Sequence, residues 1–88
     1  MSTSLSHLDI ALEVFGRLGI PVRKEHLGGS GGGLCTLRSQ QVLFVDLDAD
    51  VETQLDVCLR ELASIPRTSA IYLVPALRER LESHTPSE

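Results

Sequence analysis

Three carboxylates alternate with other residues in the middle of the chain, in the stretch VLFVDLDADV. They are Asp46, Asp48 and Asp50, and they come at the end of the strongly apolar segment Val42–Leu47. Carboxylate oxygens where a buried strand meets a helix are ligands that Mg²⁺ prefers. The same residues also suit a helix start, with Asp50 as N-cap and the other two near the positive end of the helix dipole. We favour the second interpretation, without a cofactor, and keep a magnesium site as the alternative.

A glycine-rich segment precedes this stretch. It consists of Gly28, Gly29, Ser30, Gly31, Gly32 and Gly33. Backbone N–H groups of such loops can bind phosphate, and Arg23 and Lys24 would add positive charge nearby. However, the segment lacks the Gly-x-x-x-x-Gly-Lys pattern and joins two predicted strands, so no helix N-terminus lies behind it. A ligand-binding loop and a plain strand connection therefore both remain open.

The acidic stretch resembles the first motif of the haloacid dehalogenase superfamily, in which four apolar residues precede Asp-x-Asp. The resemblance implies that Asp46 would be the phosphoryl-accepting nucleophile and Asp48 the general acid. This chain departs from the family pattern further on, because no downstream lysine or Asp-Asp pair follows. The phosphotransferase hypothesis thus depends on one motif, which makes it an alternative.

The predicted order of elements resembles the PD-(D/E)xK nuclease core of the Holliday-junction resolvase type, over roughly residues 5–75. The segments that carry the likeness are Gly31–Arg38 and Val42–Asp48, which match a glycine-rich entry to the second strand and the strand after a tight turn. Asp46 would stand for the family's glutamate, but Asp48 replaces its lysine, which reverses the charge. The resemblance therefore implies the fold of a degenerate nuclease without its catalytic residues.

The two cysteines, Cys35 and Cys58, are too few for a disulfide scaffold, and their apolar surroundings predict two buried thiols. A nucleophilic Cys35 with His26 as its base is a further possibility that sequence alone leaves open. The histidines are scattered, and no cysteine pair has zinc spacing.

Composition favours an ordinary soluble domain: 88 residues, 42% hydrophobic, 3% aromatic and a net charge of −4. The acidic balance argues against nucleic acid as a partner, and no apolar run reaches the length of a membrane helix. We expect a cytoplasmic location.

Periodicity and capping signals predict one α+β domain over residues 1–88, with 1–4 and 84–88 flexible. The predicted fold has three layers (α/β/α) in the order α-β-β-β-α-β-α, around a mixed four-stranded sheet with an antiparallel meander and one parallel strand. The first helix should begin after Ser6 and end at Gly19, and the third should begin at Pro75. The predicted strands are Ile20–Leu27 at an edge, Leu34–Arg38, Val42–Leu47 at the centre and Ala70–Val74.

No catalytic motif in this sequence is complete, and a domain this small gains stability from association. We therefore expect a non-catalytic domain that binds a protein partner or itself. The alternative is a Mg²⁺-dependent enzyme or ligand-binding protein that acts on a phosphate group through Asp46, Asp48 and the glycine segment.

Overall fold

The computed structural model describes residues 3–29, 32–71 and 73–83. Within these ranges the chain forms an α+β domain with three α helices, three strands and one 3₁₀ helix. In chain order these are α1 (Thr3–Arg17), β1 (Val22–Glu25), β2 (Gly32–Leu37), β3 (Gln40–Asp46), α2 (Val51–Ala63), the 3₁₀ helix (Pro66–Ala70) and α3 (Pro75–Glu82).

The sheet has the strand order β1-β3-β2. The predictions that β3 is central and β1 lies at an edge are therefore confirmed. The predicted antiparallel meander is wrong, because β1 runs parallel to β3, with Val22 opposite Leu43. Strand β2 forms a tight antiparallel hairpin with β3 and occupies one side of it, with Leu37 opposite Gln40. Only the other side of β3 is left for β1, so β1 and β2 lie at opposite edges of the sheet.

The hydrophobic core lies on one face of this sheet. Side chains from α1, α2 and α3 all join the same buried cluster as Leu43 and Val45 of β3. Phe44 points to the opposite face, where it is only half-buried and the guanidinium carbon of Arg23 lies 5.7 Å from its ring centroid. The expected three-layer arrangement is therefore wrong for the described residues, which form two layers.

The predicted fourth strand over residues 70–74 is also wrong, since the described residues of that segment form no strand. A 3₁₀ helix begins at Pro66 and α3 begins at Pro75, which leaves few residues for an extended element between them. Leu73 is nevertheless buried in the core. The apolar run is thus core-forming without being a strand, and its carbonyl at Ile71 accepts from the Arg78 guanidinium at 3.3 Å.

Local signals located two of the three helix starts. Asp50 caps α2, with its carboxylate accepting from the Thr53 amide at 2.7 Å, and Pro75 occupies the first turn of α3. Helix α1 begins at Thr3 rather than after Ser6, because nothing in its first residues breaks the helix. Of the termini predicted to be flexible, residues 1–2 and 84–88 lie outside the described residues.

A two-residue turn closes the β2–β3 hairpin. Its central residues, Arg38 and Ser39, both have positive φ angles, of 51° and 68°. Positive φ at both central positions is what a type I′ turn requires, and that turn matches the twist of paired strands. The hairpin is therefore held in one register although neither turn residue is glycine.

Gly32 at the start of β2 has a backbone that no other residue can adopt without strain. Its φ is +79°, and an added Cβ would clash with the Phe44 carbonyl oxygen. Gly16 on α1 is a matched control, because a Cβ there meets nothing within 4 Å and alanine favours helix.

We predict that Gly32→Ala lowers the free energy of unfolding by more than about 2 kcal/mol, because both the positive φ and the contact with β3 must be relieved. Gly16→Ala should raise it by up to about 1 kcal/mol. Urea unfolding measures both; equal effects of the two substitutions would contradict the close approach of β2 to β3.

Candidate functional site

Asp46, at the end of β3, is fully buried at 0% exposure. One of its carboxylate oxygens, Oδ1, accepts from the Leu27 amide and from the Asp48 amide, both at 2.9 Å. A buried carboxylate is tolerated only when hydrogen bonds replace its hydration. Asp46 therefore joins the chain leaving β1 to the chain leaving β3.

Asp48 makes a second connection between the same two segments, this time at the surface. Its Oδ1 lies 2.8 Å from His26 Nδ1, and its Oδ2 accepts from the Gly28 amide at 2.8 Å. The hydrogen bond with His26, followed by that from Gly28, holds the pKa of the Asp48 carboxyl below its ordinary value.

The two aspartates thus accept hydrogen bonds from the segment that leaves β1, and their predicted role near the positive end of the α2 dipole stays a prediction. Only Asp50 caps that helix, and its hydrogen bonds with Thr53 lower the pKa of its carboxyl. Across the described ranges, no group of three or more His, Cys, Asp or Glu side chains is placed to hold a metal ion. Each carboxylate of the predicted magnesium site accepts at least one backbone N–H, and magnesium binding stays a prediction.

The residues of the predicted ligand loop lie in different surroundings. Gly28 and Gly29 both have positive φ, and the Gly28 amide donates to the Asp48 carboxylate, whereas Gly32 and Gly33 already belong to β2; Ser30 and Gly31 lie outside the described residues. Arg23 forms an ion pair with Glu25 at 2.8 Å, and Lys24 is exposed on β1. An acidic side chain, Asp48, is the one that contacts Gly28. Phosphate binding by this loop also stays a prediction.

Sequence reasoning missed the outer edge of β2. The Leu34 amide points away from β3 and donates to Glu61 Oε2 on α2 at 2.8 Å. Because backbone groups alternate along a strand, Thr36 directs its N–H and carbonyl to the same outer side. Neither group finds a hydrogen-bond partner within the described part of the chain. Along the outer edge of β2, the amide of Leu34 is thus hydrogen-bonded, whereas the backbone groups of Thr36 are available for pairing with another strand. We call such an available stretch an open edge.

Around this open edge, every residue from 35 to 41 is exposed. We call residues 35–41 the hairpin tip; it includes the turn at Arg38 and Ser39. Its most apolar side chain, Leu37, is 45% exposed. The sequence CTLRSQQ has few apolar residues for the core to bury, and this was the one signal in the sequence that residues 35–41 would be exposed.

The two cysteines differ. Cys58 is buried as predicted, and burial raises the pKa of its thiol to about 12. The prediction for Cys35 is wrong, because it lies exposed in the hairpin tip. The position of its strand at the sheet edge, rather than the local composition, decided its environment.

Comparisons with protein-family models, curated proteins and solved structures gave no match. The resemblance to the nuclease core therefore stays a prediction. In the described part of the chain, no helix is long and apolar enough to cross a membrane.

Removing the Asp46 carboxylate should destabilise the domain strongly. Asp46→Ala leaves the Leu27 and Asp48 amides without their acceptor, and we expect a loss of about 2–4 kcal/mol in the free energy of unfolding. Asp46→Asn should lose less, because its amide oxygen can accept from the same two N–H groups. Urea unfolding tests this, and equal losses in both variants would argue against the acceptor role.

Acid should weaken the domain partly through Asp50. Its folded pKa lies below the ordinary 3.8, so on acidification the unfolded chain binds the proton first. The stabilisation that the ionised Asp50 carboxylate contributes is complete above the ordinary pKa of 3.8, and it is lost as the pH falls through the lower pKa of the folded state. Asp50→Asn keeps the cap without titrating. We expect its stability, measured by urea unfolding, to fall less than that of the wild type between about pH 5 and about pH 3; identical falls would contradict the pKa shift.

Proposed function

We propose that this domain acts by association with a second copy of itself, through the hairpin tip, rather than by catalysis. The observation that carries the proposal is the contrast between the two edges of the sheet. An edge strand presents unpaired backbone groups, and proteins usually protect it with charges, proline or a covering element. One edge here has this protection, and the other lacks it.

The β1 edge is protected. Three consecutive charged residues, Arg23, Lys24 and Glu25, form most of this four-residue strand, and Pro21 precedes it. A second chain that paired here would have to accommodate all three charges. Such short, charged edge strands are typical of edges that stay unpaired.

From Cys35 onward, the β2 edge has neither the charged residues nor the proline that protect the β1 edge. Cys35, Thr36 and Leu37 carry no charge, the strand contains no proline, and all three side chains are exposed. Thr36 presents its free N–H and carbonyl in the middle of this stretch. Strand addition through main-chain hydrogen bonds is a common mode of protein recognition, and this edge supplies what it needs.

A second copy is the occupant we favour, because an edge with these properties is complementary to itself. Two copies related by a twofold axis form an isologous contact that closes at a dimer. Association also offsets the limited core that a chain of 88 residues can build. The phosphate-directed alternative has less support, since the Asp46 and Asp48 oxygens accept bonds from the protein itself.

Sedimentation over a concentration range tests the proposal. We expect the mean mass of the wild type to rise from monomer toward dimer between about 10 µM and about 1 mM, since a small contact gives weak association. Leu37→Glu should remain a monomer, because it places like charges in the contact. Leu5→Glu is the control, since Leu5 is 44% exposed but lies on α1.

A wild type that stays monomeric throughout would overturn the proposal. So would a Leu37→Glu variant that associates as well as the wild type. Association lost equally in Leu37→Glu and Leu5→Glu would show that the hairpin tip is not the contact.

A further inference from the structure

We infer that two copies pair their β2 strands antiparallel about a twofold axis at Thr36, which places Arg38 of each copy beside Glu61 of the other. This inference rests on the proposed self-association and adds its register and its ion pairs. It follows from which backbone groups on the edge are free and which are occupied.

The occupied group is the Leu34 amide, whose N–H donates to Glu61 Oε2. In antiparallel pairing about a twofold axis, only outward-facing residues exchange hydrogen bonds, and on this strand these are Gly32, Leu34 and Thr36, of which Leu34 and Thr36 flank Cys35. A register centred on Cys35 would place Leu34 opposite Thr36 of the other copy and would need that same amide. Glu61 therefore disfavours the Cys35 register.

A register centred on Thr36 forms its two central hydrogen bonds without that amide, because Leu34 then lies only at the outermost pair, where its N–H stays bonded to Glu61. Thr36 of each copy donates its N–H to the Thr36 carbonyl of the other, which gives two reciprocal hydrogen bonds. Cys35 then lies opposite Leu37 of the second copy, so that two exposed apolar side chains cover each other on both sides of the axis. The two three-stranded sheets become one sheet of six strands.

Charge complementarity supports the same register. Residues equally far from the axis lie opposite each other, so Arg38 of one copy faces Leu34 of the other. The Glu61 carboxylate lies at Leu34, and within the described residues neither Arg38 nor Glu61 has an ion-pair partner. The long Arg38 side chain can therefore reach Glu61 of the second copy. The pairing forms twice by symmetry.

Disulfide trapping tests the register. We expect Thr36→Cys, made together with Cys35→Ser, to give a covalent dimer rapidly when oxidised with copper phenanthroline, because directly opposite residues in a hydrogen-bonded pair lie about 5.5 Å apart. The wild type, with only Cys35 at the edge, should cross-link more slowly. Cys58 does not compete, because it is buried and its thiol pKa is about 12.

Faster cross-linking of the wild type through Cys35 would overturn this register. No covalent dimer in either protein, under conditions where sedimentation shows a dimer, would overturn the inference and leave the proposed self-association intact. A monomer by sedimentation would overturn both.

Charge substitutions test the ion pair independently. Arg38→Glu should weaken dimerisation about tenfold or more, because it replaces two attractions by two repulsions, whereas Arg38→Lys should stay within a few-fold of the wild type. Glu61→Gln keeps an acceptor for the Leu34 amide and should weaken dimerisation a few-fold. If Arg38→Glu and Arg38→Lys dimerise with the same affinity, the ion pair is wrong.

Discussion

The buried carboxylate of Asp46 is the constraint on which the arrangement of this domain depends. Placing a carboxylate at 0% exposure is unfavourable unless hydrogen bonds replace its water. Two of the groups that do so are the amides of Leu27 and Asp48, which lie just past the ends of β1 and β3. The parallel pair of strands is thereby joined beyond its last ladder residues, and the chain is directed toward the start of α2.

That connection also decides which edge of the sheet is available. The hairpin to β2 occupies one side of β3, the Asp46 hydrogen bonds hold the end of β1 along the other side, and this charged strand is the protected edge. Glu61 of α2 then closes the first part of the opposite edge at Leu34. What remains open is the short uncharged stretch around Thr36, beyond the reach of the helical layer. The proposed contact is therefore a consequence of how two acidic side chains, Asp46 and Glu61, satisfy backbone amides.

Local sequence signals predicted the elements that local chemistry determines. Asp50 before an apolar periodic run located α2, Pro75 located α3, and the dense apolar run ending at Asp46 identified the central strand. The same signals could not choose strand partners, because pairing depends on contacts between distant residues. The apolar segment 70–74 had the composition of a strand, but its described residues form none between the 3₁₀ helix that begins at Pro66 and the helix that begins at Pro75.

The candidate site shows the same division between features that local sequence determines and features that depend on contacts between distant residues. Sequence analysis singled out Asp46 and Asp48 for the dipole of α2 or for a metal, and both assignments stay predictions. Their actual acceptor roles toward residues 27 and 28 depend on the parallel pairing of β1 with β3, for which the sequence holds no local signal. Cys35 was predicted to be buried for a similar reason, since only the sheet order reveals that its strand lies at an exposed edge.

Amide hydrogen exchange at Leu27, followed by NMR in dilute solution, tests the role of Asp46 most directly. Leu27 lies beyond the end of β1, and its amide donates to the buried carboxylate. The account predicts that its amide exchanges about as slowly as that of Val45 in the central strand. Exchange as fast as that of Gly29, whose amide has no acceptor among the described residues, would contradict it.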